Sequence, residues 1–135
     1  MSVADSLRQS PLFASLDDEK LDRVADRFSE VEIAANQVLI HPRATGTGLF
    51  LICEGTVVVE ARELQRELGP GDVVGEISLL EDDGTRSARV TARTSVRALA
   101  LRRPDFEQVL REAPELEPGL RELAEQRLSE LESGS

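Results

Sequence analysis

The sequence predicts a mainly β protein, an antiparallel β-roll with helices at both ends. Three observations predict it. Between residues 31 and 101, short apolar runs alternate with Gly, Pro, Asn and Asp. Strands this short, at this spacing, form an antiparallel sandwich or barrel. Outside that stretch apolar residues recur at helical spacing, as in Leu21, Val24, Ala25 and Phe28. Finally, Ala88-Arg89-Val90-Thr91-Ala92-Arg93 alternates strictly, so one face is buried and one is wet.

The elements follow in order. Residues 7–28 read as helical, with Pro11 opening a turn and Ser15-Leu16-Asp17-Asp18-Glu19 offering a helix start with acids in its first turn. Strands are expected at Val31–Ala34, Val38–Ile40, Leu49–Cys53, Val57–Ala61, Leu64–Leu68, Val73–Val74, Ala88–Arg93 and Val96–Leu101, giving a roll over 31–102. Helices return over 104–131. Pro104 suits a first helical position, and Phe106, Val109 and Leu110 form a stripe. Pro114 and Pro118 are expected to break the chain before a last helix from about Gly119, striped by Leu120, Leu123, Ala124, Leu128 and Leu131. The 135 residues read as a single domain, 1–135, with room for one core.

Composition narrows the function. The net charge of −10 repels nucleic acid and anionic membrane over most of the surface, but leaves a pocket free to take an anion. Arg86, Arg89, Arg93, Arg97, Arg102 and Arg103 share a segment without an acid. Except for Arg86, they are read as an outward face paired to acidic neighbours rather than a nucleic-acid patch. No run approaches the length of a membrane span, and no secretory signal is visible, so a cytoplasmic setting is expected. Cys53 is the only cysteine; within an apolar run it reads as a buried core thiol. His41 is the only histidine, which argues against a metal-holding β-roll and against nucleophilic catalysis. The four phenylalanines are too few for a single-strand stacking platform.

The most informative stretch is Val74-Gly75-Glu76-Ile77-Ser78-Leu79-Leu80 followed by Arg86-Ser87-Ala88-Arg89-Val90. Arg86 can fork onto phosphate oxygens. Backbone N–H groups from Gly75 to Ser78, read as a helix start, can point at the same anion. Glu76 can accept from a sugar hydroxyl. A plain salt bridge between Glu76 and Arg86 is the structural alternative.

These residues resemble the phosphate-binding cassette of the cyclic-nucleotide-binding domain family. Its pattern runs Gly-Glu-aliphatic-small-Leu, a loop, then Arg-small-Ala-x-Val. The resemblance extends to Ser10-Pro11-Leu12-Phe13-Ala14-Ser15-Leu16, to Gly48-Leu49-Phe50-Leu51-Ile52 with Gly55 and Val57, and to Gly69-Pro70-Gly71-Asp72. It covers roughly residues 10–131 and is strongest to the ligand-binding half of bacterial catabolite-activator-type regulators. It implies a jelly roll (double-stranded β-helix) with N-terminal helices and C-terminal hinge helices.

The resemblance also implies roles. Glu76 would hold the ribose 2′-hydroxyl and Arg86 the cyclic phosphate, within a site made of Gly75, Glu76, Ile77, Ser78, Arg86, Ser87 and Ala88. In the family, alanine at Ser87's position goes with adenine and threonine with tolerance of guanine; serine occurs in adenine-binding bacterial regulators. That favours cAMP, with cGMP open. The last helix closes the pocket in family members, and Arg127 stands where some relatives place a ligand-facing arginine; a surface arginine paired to acids is the equal alternative. Leu128 and Leu131 can cap the pocket, form a homodimer seam, or pack on their own domain.

The sequence departs from the family at Asn36, usually glycine, and at His41-Pro42-Arg43-Ala44. The expectation is a sensor rather than an enzyme, read out by an effector protein or a second copy, with no metal, no membrane and no nucleic acid bound through this chain alone. The alternatives are a roll that kept its fold and lost its ligand, and the excised sensor half of a transcription regulator.

Overall fold

The structure, a computed structural model, describes residues 3–40, 48–61, 64–75 and 89–133. Its helices are α1 (Val3–Leu7), α2 (Asp18–Ala25), α3 (Arg103–Glu112) and α4 (Leu116–Ser133). Its strands are β1 (Ser29–Ile33), β2 (Val38–Ile40), β3 (Gly48–Glu54), β4 (Val57–Ala61), β5 (Leu64–Leu68), β6 (Val73–Val74), β7 (Arg89–Ala92) and β8 (Val96–Arg102). They form two antiparallel sheets of four strands, ordered β1-β8-β3-β6 and β2-β7-β4-β5. This is the expected roll with flanking helices.

The first sheet is covered on both faces. Along β3, Leu49, Leu51 and Cys53 enter a core shared with the helices, while Ile52 enters a second core shared with the other sheet. Along β8, Leu99 and Leu101 face the helices, and Val96 and Ala98 face the second sheet. Two buried faces explain why these segments read as continuous apolar runs. The second sheet has one apolar face: β7 alternates exposed Arg89, buried Val90, intermediate Thr91 and buried Ala92.

The helical flanks differ from expectation in extent. Within 7–28, helix covers only Leu7, the end of α1, and the eight residues Asp18–Ala25; α1 starts earlier, at Val3, and turns occupy 8–16. Ser10 Oγ accepts from the Leu12 amide at 3.3 Å, supplying a local alternative to helix around Pro11. Asp17 caps α2 by accepting from the Lys20 amide at 2.8 Å. The roll begins at Ser29, opposite Ala100, not at residue 31. Helix α4 begins at Leu116 rather than near Gly119. Pro118 falls in its first turn, where backbone N–H groups have no helical acceptor and a proline costs little.

Asn36 has φ +74°, the left-handed conformation that asparagine tolerates. Its amide donates to the Ala92 carbonyl at 2.7 Å, and the Ala92 amide donates to Gln37 at 2.8 Å. The β1–β2 turn is thereby tied to the end of β7. Arg93 pairs with Glu67, and Arg97 bridges Glu30 on β1 and Glu54 on β3. Both are acid-paired as expected, but only Arg93 is exposed; Arg97, on the face of β8 that carries Leu99 and Leu101, is half-buried. Among the described residues no helix is long and apolar enough to cross a membrane, and no His, Cys, Asp and Glu group is arranged to hold a metal.

Candidate ligand site

The candidate ligand segment is a crossing between the two sheets. It leaves the first sheet from β6, where Val73 and Val74 pair with Leu51 and Phe50. Gly75 follows with φ +95°, a conformation in which any side chain is strained. The chain is described again at Arg89, entering β7 of the second sheet. Val74 and Val90 are both buried in the second core.

Beside each of these anchors lies an incompletely covered apolar side chain. Phe50, opposite Val74, and Val59, opposite Val90, pack on the second core but are only half-buried. A row of opposed residues crosses the second sheet as Ile40, Val90, Val59 and Arg66. Opposed residues of antiparallel strands share a face. Along this row the inner face of the second sheet is thus apolar at its centre and ends in a cation.

Of the expected site residues, Gly75 is described in full, at the end of β6. Glu76, Ile77, Ser78, Arg86, Ser87 and Ala88 lie outside the described residues, as does His41-Pro42-Arg43-Ala44. Arg127 lies on the backbone of α4, its side chain outside what is described. No candidate site residue of the sequence analysis falls on β5. The signal was available: a period of two from Leu68 puts Arg66 on the inner face.

The C-terminal helices are held to the N-terminal ones at one corner. Ala113, Leu116 and Leu120 are buried in the helix-side core. Lys20 Nζ donates to Glu115 Oε2 at 2.7 Å, and Arg27 Nη2 donates to Glu112 Oε1 at 2.9 Å. Gln108 Nε2 donates to the same Glu112 oxygen at 3.2 Å. The hydrogen bond from Gln108, then that from Arg27, holds the Glu112 carboxyl below the usual carboxylate range; Lys20 does the same for Glu115. Burial pushes the Cys53 thiol up, which keeps it protonated and unreactive.

The model of the cyclic nucleotide-binding domain matches residues 30–113, a stretch that includes the whole crossing. This chain belongs to the cyclic nucleotide-binding domain family. A protein of Thermus thermophilus named Cyclic AMP receptor protein is 32% identical over 130 residues, covering 92% of this chain and 60% of that protein. A cyclic nucleotide-gated potassium channel of Rhizobium etli is 32% identical over 117 residues, covering 87% of this chain and 33% of the channel. The crystal structure of the N-terminal domain of a Streptomyces coelicolor A3(2) transcriptional regulator superposes with a TM-score of 0.73, at 36% identity and 94% coverage of each chain. The chain therefore spans about a third of the channel and 60% of the receptor protein.

Proposed function

We propose that this chain is a cyclic-nucleotide sensor, with cAMP as its expected ligand, which converts occupancy into movement of its last helix. The observation that carries the reading is the family match across the crossing, which holds both Glu76 and Arg86 of the motif. Arg86 forks onto the cyclic phosphate, and the backbone amides of Gly75–Ser78 donate to the same anion. Glu76 accepts from the ribose 2′-hydroxyl. Ser87 donates to the phosphate or to the base edge. Ile77 and Ala88 complete the wall, and Arg127 reaches the ligand from α4.

The half-buried Phe50 and Val59 support this reading, because they leave apolar surface for a flat base beside the crossing. A ligand that contacts α4 only when it is closed over the roll shifts the population toward the closed form. An effector protein, a second copy or a further domain reads that shift. The name of the Thermus relative favours cAMP.

Thermal unfolding with cAMP, cGMP and AMP tests the reading. A ligand at a hundred times its Kd stabilises the native state by about 2.7 kcal/mol. The melting temperature should rise with cyclic nucleotide and stay fixed with AMP. An unchanged melting temperature at millimolar cyclic nucleotide contradicts the proposal and points to a roll that binds protein partners instead.

A further inference from the structure

We infer that the outward face of the second sheet is a self-association surface, on which two copies of this chain pack face to face about a two-fold axis between β4 and β7. This association does not require a ligand.

Register assigns the face. Val57 opposes both Ala92 and Leu68, and all three are buried in the second core, so their neighbours along each strand point the other way. One outward row crosses β2, β7, β4 and β5 as Val38, Thr91, Val58 and Glu67. In the next row Arg89 opposes Glu60. None of these residues is buried: Val38, Thr91, Val58 and Glu60 are half-buried, and Glu67 and Arg89 are exposed. A β-branched strip thus stands open on the side of the sheet that faces away from the core.

Charge favours a second copy as the occupant. The chain carries −10 overall, so two copies repel each other over most of their surface. On this face Arg89 and Arg93 balance Glu60 and Glu67, and a like molecule can approach without that penalty. Arg93 is paired to Glu67 within the chain, whereas Arg89 and Glu60, though opposed, form no ion pair with each other.

Symmetry then makes the face complementary to itself. An axis lying along the strands, midway between β4 and β7, exchanges those two strands and keeps each row at its own height. It lays Val58 of each copy on the partner's Thr91, and Arg89 of each copy on the partner's Glu60. The contact is small. Four strands about 4.8 Å apart and two rows of side chains cover on the order of 300 Å² per copy, against about 800 Å² in a stable complex. Sheet twist lifts the corners apart and confines contact to the centre. The dimer is therefore weak, forming as concentration approaches about a millimolar.

Sedimentation velocity of the full chain between about 10 μM and about 1 mM tests this, alongside Arg89→Glu, Glu60→Arg and Val58→Lys. The parent should move from monomer toward dimer across that range. Each charge reversal sets like charges against each other across the axis and should hold the chain monomeric. Val58→Lys leaves the charged row intact, puts a cation in the strip and should do the same, so the test stands even where a charge reversal fails to fold. An equimolar mixture of Arg89→Glu and Glu60→Arg should dimerise again, because both of its cross-axis contacts then join opposite charges. Repair within one chain cannot produce that recovery. A parent that stays monomeric at about a millimolar, variants that associate as the parent does, or a mixture of folded variants that stays monomeric overturns the inference.

Discussion

Val74 and Val90 are buried in one apolar cluster although they belong to different sheets and stand on either side of the candidate ligand segment. The residues on both sides of the 76–88 segment are therefore anchored in one core. Packing in that core and ligand affinity should be coupled, whereas packing in the helix-side core should matter less.

Val90→Ala and Val24→Ala separate the two. Both valines are buried, one in each core. Each truncation removes two methylene equivalents and should cost about 2 kcal/mol of stability by denaturant unfolding. Only Val90→Ala should also weaken cyclic-nucleotide binding. Equal affinity losses in both variants would mean that global stability, not the anchoring of the crossing, sets affinity.

Gly55 meets the β7–β8 turn. A Cβ there would stand 2.2 Å from the Ser95 carbonyl oxygen, and φ is already +92°. The neighbouring Thr56 amide donates to Thr94 Oγ1 at 3.1 Å, so the two turns are locked together. Gly55→Ala should cost about 3 kcal/mol, combining backbone strain with displacement of the turn. A circular-dichroism melt close to that of the parent chain would show that the two turns are not held together.

Acid should loosen the helical corner before the roll. Glu112 and Glu115 titrate below the usual range in the folded chain because Gln108 with Arg27, and Lys20, favour their charged forms. Their contribution is fully present above the unfolded glutamate value, about 4.3, and is lost as pH falls through the lower folded values. Hydrogen exchange in 113–123 should rise below about pH 4.3 ahead of exchange in β3 and β8. Glu112→Gln should reduce that acid response. Simultaneous exchange everywhere would refute the local role.

Cys53 should resist alkylation. The thiol is buried, and burial raises its pKa, so thiolate is scarce at neutral pH. Modification in native buffer should be far slower than in denaturant. Comparable rates in both would place the thiol at the surface.

Much of the fold was legible because its signals are local. Asp17 as a helix cap, Asn36 at a left-handed turn and the alternation through Val90 and Ala92 each depend on a few neighbouring residues. The motif around Glu76 and Arg86 was legible for the same reason, since it is contiguous in sequence. What was missed needed longer range. Pro118 looked like a helix breaker because its distance from the start of α4 was unknown. Arg66 became notable only through the register of β5 on β4 and β4 on β7, which relates residues far apart in the chain.

Calorimetric titration of the chain and of Arg86→Leu with cAMP is the decisive measurement. Binding should be saturable in the parent chain and absent in the variant, whose ligand-free melting stays close to the parent's. Binding that survives in Arg86→Leu, or no binding to the parent at millimolar ligand, would contradict the cyclic-nucleotide reading.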